Sequence, residues 1–91
     1  MNDKAKDMDY LVGLFIRRHR RKRGMNGKEF SRKLNISHQQ LSRYERGESC
    51  FTLDKLALFL SALDKDFSDL ATETHWGENE FLFDKIKERL E

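Results

Sequence analysis

Downstream of Ser37 the chain places His38, Gln39, Gln40, Ser42 and Arg43 around two apolar residues, Leu41 and Tyr44. On a helix, Leu41 and Tyr44 turn one way at i and i+3, and the polar five are left facing outward. A solvated helix face more often alternates Glu and Lys, whereas this one carries amides and a guanidinium. A Gln amide pairs bidentately with adenine N6 and N7, and Arg with guanine O6 and N7, each contact being worth about 1–3 kcal/mol of discrimination. The chemistry these types offer is recognition of base edges. Other chemistries find less support. The three histidines and the single Cys50 share no spacing with a nucleophile, a carboxylate pair or a metal set, and no glycine-rich phosphate loop is present. The expectation is no enzyme, no cofactor, no metal and no small-molecule substrate.

Charge points the same way through its placement. The net charge is only +2, yet residues 1–49 hold 13 Lys or Arg against 6 Asp or Glu, a net +7, and residues 50–91 hold 5 against 10, a net −5. The run Arg17, Arg18, His19, Arg20, Arg21, Lys22, Arg23 concentrates cations where they could neutralise phosphates, each adding a salt-dependent and sequence-blind increment to affinity. Arg21 and Arg23 are expected phosphate contacts, joined by Lys28, Ser37, Ser42 and Arg46 around the polar face. Cations at a helix C-terminus also oppose the macrodipole, so the run has a purely local explanation beside the functional one. His19 falls within an apolar stripe and reads as a core-edge histidine.

These side chains need a scaffold, and its helical pattern is legible. With no Pro and apolar residues recurring at helical spacing, the sequence predicts an all-α fold. Asp9 is expected to cap a helix at about 9–22 that carries Leu11, Val12, Phe15 and Ile16 and stops at Gly24. Asn26 caps a short helix at 27–34 with Phe30 and Leu34, and Asn35 stands where a left-handed residue would let the chain turn. Ser37 caps the polar helix at about 38–46, which Gly47 ends, and Thr52 caps an apolar one at about 53–63. A fifth short helix near Phe67 and Leu70 closes the bundle, and an amphipathic stretch from Glu78 to Leu90 follows. The expected core is Val12, Ile16, Phe30, Leu34, Ile36, Leu41, Leu53, Leu56, Leu60, Leu63, Phe67 and Leu70.

Ile16-x-x-x-Arg20, Gly24, Phe30-x-x-x-Leu34-x-Ile36-Ser37, Leu41 to Gly47 and the Leu53 to Leu63 helix together resemble the Cro/cI-type (XRE) helix-turn-helix regulators, over about residues 12–71. The resemblance implies a five-helix Cro/cI-like bundle, here with an added C-terminal amphipathic helix, whose second short helix enters the major groove. It places the base contacts on His38, Gln39, Gln40 and Arg43, and it implies a structural ion pair of Arg20 with Glu45. The string from Ser37 to Glu45 is similar, more narrowly, to regulators encoded with fimbrial operons that repress flagellar motility. Two positions depart from the family. Gly27 stands where a Gln contacts phosphate, and Ser31 stands where an Ala packs, its hydroxyl expected to return to the Gly27 carbonyl.

Apolar residues exceed what one small core needs. Leu11, Leu14 and Phe15 on the first helix, Leu58 and Phe59 on the fourth, and Phe81 and Phe83 near the end are expected to cover a dimer interface, although the last helix could instead fold back over its own chain. A homodimer would read a palindromic double-stranded operator. The expected organisation is a flexible segment 1–8, a DNA-binding domain 9–73 and a helical extension 74–91. The polar N-terminus, the lack of a bilayer-length apolar run and the single cysteine favour the cytoplasm, with association to the nucleoid on binding and no membrane partner. A competing class is an interaction module, antitoxin-like, that keeps the fold while its acidic half binds a protein.

Overall fold

The computed structural model describes residues 8–74, so the expectations for segment 1–7 and for Phe81, Phe83 and the 78–90 helix lie outside the described residues. Five helices follow in order: α1 (Met8–Lys22), α2 (Gly27–Lys33), α3 (His38–Glu45), α4 (Leu53–Ala62) and α5 (Phe67–Thr74). The fold is all-α, and no strand occurs among the described residues.

Local chemistry sets the boundaries. Asn26 Oδ1 accepts from the Glu29 N–H at 2.8 Å, and Glu29 Oε1 accepts from the Asn26 N–H at 2.8 Å, a reciprocal capping box that starts α2. Ser37 Oγ accepts from the Gln40 N–H at 3.0 Å, and Thr52 Oγ1 from the Lys55 N–H at 3.1 Å. Asp66 and Asp69 cap α5 by the same reciprocal exchange. Asn35 takes a positive φ of 60° between α2 and α3, the left-handed turn that aims the second helix.

The core gathers Val12, Ile16, Phe30, Leu41, Leu56, Leu60, Leu63 and Leu70 as expected, together with Met8, Phe15, Tyr44, Phe51 and Phe59. Tyr44, Phe51 and Phe59 meet pairwise at ring-centroid distances of 4.8–5.3 Å, and Phe30 reaches Phe59 at 6.0 Å. Tilted pairs of this kind add about 0.5–1.5 kcal/mol each beyond the area they bury.

Several expectations are corrected here. Phe15 and Phe59 are buried in the core and cannot face a second chain, because α1 packs against both α3 and α5 and has little spare apolar face at Phe15. Leu53 and Phe67 are exposed rather than core residues. Each is the first residue of its helix. Met8, expected within the segment 1–8, is instead the first described residue of α1 and is buried. Asp9 does not cap α1. It lies inside the helix, where its carboxylate accepts the Phe51 N–H at 3.1 Å and the Cys50 thiol at 3.4 Å, satisfying the backbone that leads into α4. Ser31 donates to the Lys28 carbonyl at 3.0 Å, one residue along from the expected Gly27. Leu34 and Ile36 are partly buried against the core.

Where α1 crosses the end of α3 the backbones nearly touch at Gly13. A Cβ there would stand 2.5 Å from the Tyr44 carbonyl oxygen and 2.7 Å from that of Glu45. Only glycine permits that approach.

Candidate nucleic-acid interface

α3 is held from behind at three points. Its inward residues Leu41 and Tyr44 are buried, Gly13 lets α1 press against its last turn, and a buried fork ties the two helices. In that fork Arg20 Nε donates to Glu45 Oε2 at 2.7 Å and a terminal nitrogen donates to Oε1 at 3.0 Å. The third guanidinium nitrogen donates to the Met25 carbonyl at 2.9 Å, which fixes the chain entering α2 as well. A planar guanidinium sets orientation as well as distance, so the fork fixes how α3 is rotated on the bundle.

The face that remains outward carries His38, Gln39 and Arg43, all exposed, with Gln40 half-buried. The Gln40 amide reaches Ser49 Oγ at 3.4 Å. The Ser37 hydroxyl is engaged as the helix cap. Ser42 accepts from Arg46 at 3.0 Å, and Arg46 also grips Glu48 through two bonds of 3.0 and 3.1 Å. The His38 ring lies over Gly27, where a Cβ would stand only 2.4 Å from its Nε2. A cleft of about 250 Å³ opens there, lined by Arg17, Arg20, Gly27, His38, Ser42 and Arg46 among others.

The structure divides the basic run of α1 by partner. Arg18 binds Glu73. His19 is buried, stacks on Phe15 at 4.4 Å, and its Nε2 meets Glu73 Oε1 at 2.7 Å. Arg23 reaches back to Asp64 Oδ2 at 2.9 Å and the Leu63 carbonyl at 3.4 Å, joining the ends of α1 and α4. Arg17, Arg21, Lys22 and Lys28 are exposed and make no ion pair among the described residues. Arg17 and Arg21 share a shallow groove with Leu14, Arg18 and Lys22.

Glu73, on α5, makes direct ion pairs with two members of this run. Burial alone would raise its carboxyl, but the hydrogen bond from His19 and the charges of His19 and Arg18 outweigh it, and the group titrates below its ordinary value. Glu73 and Asp64 carry no expectation from the sequence, and Arg17 entered only as a member of the basic run, not among the individual phosphate contacts. For Arg17 a signal existed, since it lies one turn before Arg20 on the same side of α1. Glu73 and Asp64 are 54 and 41 residues from their partners, beyond the reach of local spacing.

Of the surfaces expected to meet a second chain, Leu58 is 57% exposed and Leu11 and Leu14 are half-buried. Among the described residues no three His, Cys, Asp or Glu side chains form a metal set, and no helix is long and apolar enough to cross a membrane.

A family model described as helix-turn-helix matches residues 16–70. Uncharacterized HTH-type transcriptional regulators of Rickettsia conorii and Rickettsia prowazekii are each 28% identical over 65 residues, or 71% of this chain. The chain spans about half the length of these curated relatives, 52% and 50%. A crystal structure of the clp gene regulator ClgR from Corynebacterium glutamicum superposes with a TM-score of 0.69 at 25% identity, covering 74% of this chain and 86% of that one. A second crystal structure of ClgR, at 22% identity and TM-score 0.69, covers 90% and 87% and shares the fold.

Proposed function

The chain belongs to the helix-turn-helix family, and from that premise we propose that it is a sequence-specific transcriptional regulator that lays α3 in the major groove of double-stranded DNA. One observation carries the reading. A helix with an outward face of amide, imidazole and guanidinium groups is clamped from behind by the buried Arg20–Glu45 fork, so its polar side chains are offered at a fixed rotation. Base reading falls to Gln39, Gln40 and Arg43. Arg21 and Lys28 supply phosphate contacts that set register, and Ser37, Ser42 and Arg46 border the same face. Arg23 is the weakest of the proposed phosphate contacts, because its guanidinium is already engaged by Asp64.

Occupancy of a promoter is enough to repress it, so a helix-turn-helix that covers its operator acts as a repressor, with no small-molecule substrate needed for that step. Two copies pair about a two-fold axis through apolar surface that includes Leu58, and they read a palindromic operator with half-sites about 34–36 Å apart. The likeness of the Ser37 to Glu45 string to fimbrial-operon regulators makes motility promoters the first targets to examine. The protein then works in the cytoplasm, on the nucleoid.

Two substitutions test the assignment. Gln40→Ala relaxes preference at particular base pairs, while Arg21→Ala weakens binding to every duplex about equally and lowers the salt slope by about one. Indistinguishable profiles for the two variants would contradict it. Steep salt dependence with no sequence preference would instead favour an interaction module, antitoxin-like, that keeps the fold.

A further inference from the structure

We infer that a backbone phosphate of the bound duplex seats in the cleft between α1 and α3, gripped by Arg17 and His38, so that His38 holds the DNA backbone instead of reading a base. The inference rests on the duplex-binding reading of α3 and deepens it by assigning the phosphate site.

The cleft is cationic for a reason that emerges from pairing. Arg20 and Glu45 both line it and neutralise each other in the buried fork. Arg46, at the rim, is taken by Glu48 and Ser42. Arg17 lines the same cleft and has no ion pair among the described residues, so its charge is the unbalanced one. An exposed guanidinium beside a concavity is well placed for a phosphodiester, which accepts two parallel N–H bonds. The space of about 250 Å³ is several times the roughly 30 Å³ that one water claims in the liquid.

His38 enters the cleft because position 27 has no side chain. A Cβ at Gly27 would lie 2.4 Å from His38 Nε2 and 2.7 Å from Cδ2, so the ring fills the space a longer residue would take. The ring rests against α2 and lines the same cleft as Arg17 while staying exposed to solvent. An imidazole N–H donates to a phosphate oxygen in the neutral form as well as the charged one, so the contact needs no titration. The absence of a side chain at 27 and the position of His38 are one arrangement, in which the donor comes from α3.

The test measures the full chain on several unrelated duplexes and on duplexes with a single methylphosphonate, which removes one phosphate charge. Arg17→Ala and His38→Ala each weaken binding to all unmodified duplexes by about the same 5- to 10-fold, and Arg17→Ala lowers the salt slope by about one. One methylphosphonate position, the same for both, cancels both losses. Gly27→Ala reproduces the His38→Ala loss and adds nothing to it in the double variant. That variant still folds, because its methyl group meets the tip of a movable side chain and not backbone. If His38→Ala changes preference at one base pair while unrelated duplexes bind as before, His38 reads a base and the inference falls. It falls equally if Arg17→Ala leaves affinity and salt slope untouched. Failure of the wild-type chain to bind any duplex would sink the underlying reading, a result distinct from wild-type binding that the variants leave unchanged.

Discussion

Arg20→Leu is the sharpest perturbation of the scaffold, because it strands a carboxylate. The side chains of Arg20 and Glu45 are 10% and 8% exposed, and the fork supplies two charge-assisted bonds at 2.7 and 3.0 Å. Removing the guanidinium leaves Glu45 buried without its partner and the Met25 carbonyl without a donor. The loss for breaking one side of such a pair is about 3–5 kcal/mol. A small domain is stable by only about 5–15 kcal/mol, so the melting temperature falls by on the order of 15–30 °C. Replacing both residues, as Arg20→Leu with Glu45→Leu, removes the stranded charge and restores stability to within about 1–2 kcal/mol of the wild type. Urea denaturation followed by far-ultraviolet circular dichroism measures all three variants. The restored double variant still binds DNA poorly, since nothing then fixes the rotation of α3. A single-variant cost below about 1 kcal/mol, or a double variant that loses the sum of the two singles, would show that the fork is not the buried pair described.

Three further outcomes follow from the same contacts. Gly13→Ala drives a methyl group into the Tyr44 and Glu45 carbonyls and costs about 1–3 kcal/mol in denaturant titrations, whereas Gly27→Ala costs less than half as much; equal costs would place the α1–α3 crossing elsewhere. Glu73 titrates below its ordinary value in the folded chain, so its contribution to stability is present above the unfolded pKa and is lost as pH falls through the folded one. The stability gap between wild type and Glu73→Gln therefore closes below about pH 5 in pH-dependent unfolding, and a gap that widens in acid would reverse the assignment. Leu58→Glu, at a 57% exposed site, changes stability by less than about 0.5 kcal/mol but weakens self-association in sedimentation; an unaltered dimer would remove Leu58 from the interface.

What could be read from the sequence was what is local. The caps at Asn26, Ser37 and Thr52 and the left-handed Asn35 depend on hydrogen bonds or backbone angles within a few residues, and each stands where its residue type predicts. The all-α bundle followed from apolar spacing on each helix. What escaped was set by distant partners. Phe51 lies between helices and belongs to no periodic stripe, yet it is 1% exposed because Tyr44 and Phe59 close around it. Asp9 looked like a cap because a carboxylate near a helix start usually is one, and its partner lies 42 residues on. Phe15 and Phe59 read as surplus in the sequence because a stripe wider than one neighbour looks like exposed surface until the second neighbour is known. At the interface, the polar face of α3 was legible, but the division of the basic run into paired and unpaired cations required Glu73, Asp64 and Glu45 to be placed opposite it.

Selection of bound duplexes from a random-sequence pool puts the gene-control reading at greatest risk. The polar face of α3, presented twice about a symmetry axis, predicts an enriched palindrome whose half-sites lie about 10–10.5 base pairs apart, centre to centre, and whose specificity is lost in Gln39→Ala and Arg43→Ala. A pool that emerges without any enriched sequence, or an enriched sequence that both variants bind as tightly as the wild type, would contradict it.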